Sequence, residues 1–143
     1  MLPSRPWDDD DGSASLEFLT AGVLLLVPLV YLVVALGEVQ NAALAAEAAA
    51  RFVARALTTH TDPDLVLRTV AADYGIDPGS LDMRVACTPA AAACPSAGST
   101  VVVTVGHLVD LPLVPEAFGI GDALSVPVDA TATAKVSRLW EAP

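Results

Sequence analysis

The sequence predicts an α+β protein: one long amino-terminal helix, followed by a small distal domain of one short helix and an antiparallel sheet of about three strands. Three observations carry that expectation. Residues 18–37 read FLTAGVLLLVPLVYLVVALG, twenty residues without a charge. Helical spacing of apolar residues then continues to Thr58. Beyond Gly75 the apolar period falls from helical to two, the spacing of a strand with one buried face.

Taken in order, residues 1–12, MLPSRPWDDDDG, are rich in Pro, Asp and Gly with no periodicity and read as an unstructured leader. Its four aspartates, 8–11, read as a solvated acidic run, with a cation site as the lesser alternative. Residues 13–37 are expected to form a transmembrane helix. At 1.5 Å per residue the charge-free block matches the roughly 30 Å of a bilayer's hydrocarbon core. Thirteen of its twenty residues are Leu, Val or Phe, contributing roughly −4 to −8 kcal/mol to insertion against about +3 for the carboxylate of Glu17 at its mouth. A buried core helix is the alternative, but a chain of this length has little other apolar mass to surround one. Pro28 removes a backbone hydrogen bond in mid-span and predicts a kink, which membrane helices tolerate.

The helix is expected to continue through residues 38–58. Val39, Ala43, Ala46, Ala50, Val53 and Leu57 fall on one stripe, with Gln40, Asn41, Glu47, Arg51 and Arg55 opposite. Glu47 precedes Arg51 by four residues, in the favourable order. The stripe of small residues suits close approach of another element, either the chain's own distal domain or a second molecule. Residues 59–143 form the distal domain. Asp62 and Pro63 make a helix start, and Gly75 a left-handed stop, for a helix from Pro63 to about Tyr74. Leu81, Met83 and Val85 alternate with Asp82, Arg84 and Ala86. Residues 100–106 are rich in Val and Thr, and residues 124–136 alternate again. The sheet is expected to pack on the outer half of the long helix. Residues 111–123, LPLVPEAFGIGDA, read as a surface loop.

A formal net charge of −10, with six Arg and one Lys, leaves no basic face for phosphates and disfavours nucleic-acid binding. Cys87 and Cys94 bracket the connection between the first two strands. A disulfide there is favoured over a zinc site, because neither His60 nor His107 has a partner at metal-ligand spacing. Both histidines read as surface or loop residues. No nucleophile elbow, phosphate loop or carboxylate pair stands out, so neither an enzyme nor a cofactor is expected.

Gly12-Ser13-Ala14-Ser15-Leu16-Glu17-Phe18, followed at once by the apolar helix, resembles the processing signal of type IV pilin precursors. The fuller resemblance is to the TadE-like minor pseudopilins of the tight-adherence (Tad/Flp) pilus. There the glutamate is commonly followed by an aromatic residue, as in Glu17-Phe18, and the membrane helix runs into a polar, Ala-rich continuation, here 37–55. The Val- and Thr-rich strands at 101–105 and 129–136 are similar to that family's distal segment. The resemblance implies a type IV pilin-like fold and a non-enzymatic pilus assembly subunit. It implies cleavage by a prepilin peptidase between Gly12 and Ser13 on the cytoplasmic side, with the helix retained. Glu17 and Phe18 would then serve assembly, the Glu17 carboxylate meeting the new amino terminus of a neighbouring subunit and setting axial register. The implied partners are the peptidase, other pilin and pseudopilin subunits, the inner-membrane assembly platform and membrane lipid. The implied location is the bacterial cytoplasmic membrane, single pass, with the distal domain extracytoplasmic or carried into a surface pilus.

Two other readings stay open. In one, the chain is a single-pass, membrane-anchored extracytoplasmic binding protein. In the other it is secreted, with Ala35-Leu36-Gly37 weakly resembling a signal-peptidase site, although the apolar run is long and the leader acidic for a signal peptide.

Overall fold

In the computed structural model, which describes residues 13–90, 93–111 and 125–141, a single helix, α1 (Ser13–Thr58), accounts for 46 residues. The expected layout is present: after α1 come α2 (Pro63–Asp73) and the strands β1 (Leu81–Thr88), β2 (Thr100–Asp110) and β3 (Ser125–Lys135). The leader with Gly12 and Asp8–Asp11, and most of the expected loop at 111–123, lie outside the described residues.

The two halves of α1 have opposite surroundings. From Leu16 to Val34 nearly every large side chain is exposed, with Leu24 at 71% and Phe18 at 80%. An apolar helix open on all sides in water would be costly, and lipid is the solvent that suits it. The helix is long and apolar enough to cross a membrane near the amino terminus, which makes it compatible with a single-pass anchor. Pro28 lies within it and the helix runs on past it without a break.

Beyond Gly37 the helix becomes half of a core. Ala46, Ala50 and Val53 are buried as the stripe predicts, while Val39, Ala43 and Leu57 are only half-buried. Ala42, Ala45, Ala49, Ala54 and Ala56 are buried as well. The buried band is therefore wider than one stripe, because α1 is flanked by α2 on one side and by β2 and β3 on another. Alanine suits such a position: it brings two elements close and loses no side-chain entropy on burial. Asn41 is a correction to the expected polar face. It is half-buried, and its Nδ2 donates to the carbonyl of Tyr74 at 3.1 Å, satisfying one of the acceptors left open at the carboxy-terminal end of α2.

Asp62 caps α2, accepting the backbone N–H of Asp64 at 2.9 Å on Oδ1, with Pro63 in the first turn. The helix ends at Asp73 with Tyr74 as its cap, one residue before the expected end. Gly75 then takes a φ of 68°, the left-handed conformation open to glycine without strain. The same Asp-Pro signal recurs at Asp77-Pro78 and opens a one-turn 3-10 helix, Pro78–Ser80, which the sequence reading missed.

The sheet is an antiparallel meander of order β1-β2-β3. Its register pairs Val103 with Val85 on one side and with Ala132 on the other. That register points Val101, Val103 and Val105 at the helices, where all three are fully buried with Val53, Leu67, Val70 and Val136. The opposite face carries Asp82, Arg84, Thr104, Thr131 and Asp129. β2 runs four residues past the expected Gly106, because Asp110 still pairs with Ser125 of β3.

Candidate functional site

Glu17 is the fifth residue of α1 and is exposed, one turn inside the start of the helix. The next charged residue is Glu38. Phe18 is 80% exposed beside it, and a turn further on the hydroxyl of Thr20 donates to the carbonyl of Leu16 at 2.7 Å. Among the described residues Glu17 has no hydrogen-bond or ion-pair partner. Its site is thus a lone carboxylate and an aromatic ring presented on an apolar rod. Ser13 is helical in its backbone, and Gly12 falls outside the described residues.

At the far end of the molecule the chain is fastened twice. Cys87 and Cys94 are joined in a disulfide that closes the connection leaving β1. Ser99 on the same loop is buried; its hydroxyl donates to the Ser96 carbonyl at 2.7 Å. The segment after β3 then ties the loop down, with Val136 N–H donating to the Ser99 carbonyl and Gly98 N–H to that of Ser137. Trp140 follows, its ring stacked on His60 with centroids 5.1 Å apart and planes 5° from parallel. His60 holds a φ of 58°, so the turn between α1 and α2 and the carboxy-terminal tail meet through one ring contact. Removing both sulfurs, Cys87→Ser with Cys94→Ser, is expected to cost about 2 kcal/mol through the freed loop. A urea titration of the detergent-solubilised chain should show this as a lower midpoint with an unchanged slope.

His107 is a surface residue of strand β2 and not of a loop, its ring Nδ1 3.2 Å from the carbonyl of Ser80. Among the described residues no cluster of three His, Cys, Asp or Glu is placed to share a metal ion. The outer face of the sheet holds an open hollow of ≈ 590 Å³ lined by Asp82, Arg84, His107, Asp110 and Asp129. Arg84 bonds Asp82 at 2.9 Å. That bond, then the charge of Asp82, raises the guanidinium pKa, with Asp129 adding a smaller push. Gly106 lies between Asp82 and Asp129 in the register. A Cβ there would come within 2.7 Å of an Asp129 carboxylate oxygen, so glycine makes room for that side chain.

Comparison with family models, with curated proteins and with solved structures returns no match for this chain. The case for a function accordingly rests on the residues themselves.

Proposed function

We propose that the chain is a minor pseudopilin, a pilus assembly subunit of the Tad type that is held in the membrane by α1 and processed after Gly12. The observation that carries the reading is the continuity of Gly12, Glu17 and Phe18 with an apolar helix that runs unbroken into a small α+β domain. A glycine at the cut brings no side chain and lets the backbone adopt the conformation that a peptidase needs. After cleavage Glu17 is the fifth residue of the mature chain. Its carboxylate, unpaired among the described residues, is available to the new amino terminus of a neighbouring subunit. That pairing would offset the desolvation of both charges and set axial register as helices stack. The distal domain, with its sheet and disulfide, is then what the subunit presents outside the membrane.

The test is the amino-terminal sequence or intact mass of the protein recovered from its host's membranes. A chain that begins at Ser13 is expected. In the Gly12→Leu variant the full leader should remain, because the branched side chain obstructs the peptidase at the cut. A wild-type chain that keeps its leader in the membrane would replace this reading with that of a plain single-pass binding protein. One that begins at Glu38 and is soluble would make the span a discarded signal.

A further inference from the structure

The line of α1 that faces the distal domain does not stop where the apolar half begins. Val53, Ala49, Ala46 and Ala42 are buried, and the same spacing of three and four residues leads on to Val39, Ala35 and Tyr31. Val39 and Tyr31 are half-buried and Ala35 is only 8% exposed, whereas every other residue from 29 to 38 is exposed. The helix does not hide Ala35 by itself. Ala21, with Leu24 and Leu25 one turn further on, is exposed, although side chains one turn on are the ones that lean over a helical position. The cover therefore comes from outside α1, on the side where the sheet lies, and a single chain supplies it without lipid or a second molecule.

Two contacts fix the direction of the sheet along α1. Trp140, just past the end of β3, stacks on His60 at the outer end of the helix. Tyr74, which precedes the start of β1, is bonded to Asn41, near the inner end of the core. The Thr100–Lys135 end of the β2–β3 pair thus lies outermost, and the Asp110–Ser125 end points back toward the apolar half. Val101, Val103 and Val105 share a cluster with Ala49, Ala50 and Val53. From Val103 to Asp110 the strand advances about 23 Å, as far as about 15 residues of helix, and so ends close to Gly37.

Residues 112–124, PLVPEAFGIGDAL, join those two strand ends. Neighbouring antiparallel strands need only about two to five residues to turn. The thirteen residues here allow an excursion of about 20 Å out and back, and Tyr31 lies about 9 Å from Gly37 along the helix. The composition is that of a covered segment: Leu113, Val114, Phe118, Ile120 and Leu124 stand with two charges, Glu116 and Asp122.

We propose that residues 112–124 lie along Tyr31, Ala35 and Val39 of α1, and carry their apolar side chains into the outer interface of the bilayer that α1 spans. The distal domain then touches lipid at a second place, which sets its height and its facing relative to the membrane. The contact requires the span but neither leader cleavage nor filament assembly, so it stands or falls apart from the pseudopilin reading.

Photocross-linking of the full chain in native membranes tests the contact. Tyr31→p-benzoylphenylalanine should cross-link within the chain to a peptide from 112–124, identified by mass spectrometry after digestion. Val33→p-benzoylphenylalanine, on the opposite side of α1, should not. Cross-links from position 31 only to lipid or to another part of the chain, or equal capture of 112–124 from both positions, would overturn the proposal. Its lipid half is read in phosphatidylcholine vesicles that carry a nitroxide close to the headgroup, with Cys87–Cys94 intact. A bimane on Phe118→Cys should lose fluorescence there, and one on Thr133→Cys, near the far end of β3, should keep it. A Phe118→Cys label as bright as the Thr133→Cys label would overturn the second lipid contact.

Discussion

Val53→Asp should abolish the folded distal domain while leaving the apolar half of α1 helical. Val53 is fully buried in the cluster that joins α1 to Val101, Val103, Val105, Leu67 and Val70. The substitution forfeits about 1.5–3 kcal/mol of apolar burial. It also places a carboxyl among Ala and Val side chains that offer no hydrogen bond, a further cost of a few kcal/mol even if the group takes up a proton. A domain of this size has about 5–15 kcal/mol in total, and much of it hangs on this one contact, because α1 is the element against which both α2 and the sheet pack. Circular dichroism in detergent should show the helical signal of the span retained and the cooperative thermal transition gone. A variant that melts like the wild type would mean that the sheet holds together without α1.

Glu17→Gln is the variant with the largest expected effect on assembly. Losing the charge makes insertion of the span easier by up to about 3 kcal/mol, so the amount of protein in the membrane should hold or rise. If Glu17 meets a neighbour's amino terminus, the variant leaves that amine facing a neutral amide. Truncating one partner of a buried charged pair costs about 2–5 kcal/mol, which is more than tenfold in occupancy. The ratio of subunit in sheared surface filaments to subunit in the membrane, read by immunoblot, should fall by at least that factor. An unchanged ratio would remove Glu17 from any role in register.

The parts of the fold that were legible in the sequence depend on local rules. The charge-free span, the Asp62-Pro63 start and Gly75 stop of α2, and the period-two strands each show in a few adjacent residues. Apart from the Asp77-Pro78 turn, a local signal that was passed over, what escaped depends on elements far apart in the chain. Asn41 looked solvent-facing by spacing, since nothing near it in sequence signals that the end of α2 would arrive beside it. The buried width of α1 exceeds one stripe because two elements flank it, and a stripe count assumes one. β2 runs past Gly106 because β3 begins early enough to pair with it. Trp140 gave no signal at all; its place is fixed by a stack on His60, eighty residues earlier. The candidate site was legible only as a motif, Gly12 through Phe18, since the work of a lone carboxylate on a helix lies with whatever molecule it meets.

Because α1 belongs both to the span and to the core, the protein has no joint where the two meet. A helix of this length is about 69 Å from end to end, and Ala42 to Ala56 are locked into the domain. The molecule therefore behaves as a lever. A tilt of about 10° at its amino-terminal end swings the far end through about 12 Å, and a pull on the distal sheet passes straight down the rod into its apolar half. The one point of give is Pro28, where a rung of the helical ladder is missing, and it sits deep in the apolar half. If α1 spans a bilayer, a force on the distal domain is thus felt first inside the membrane, about midway along the apolar half.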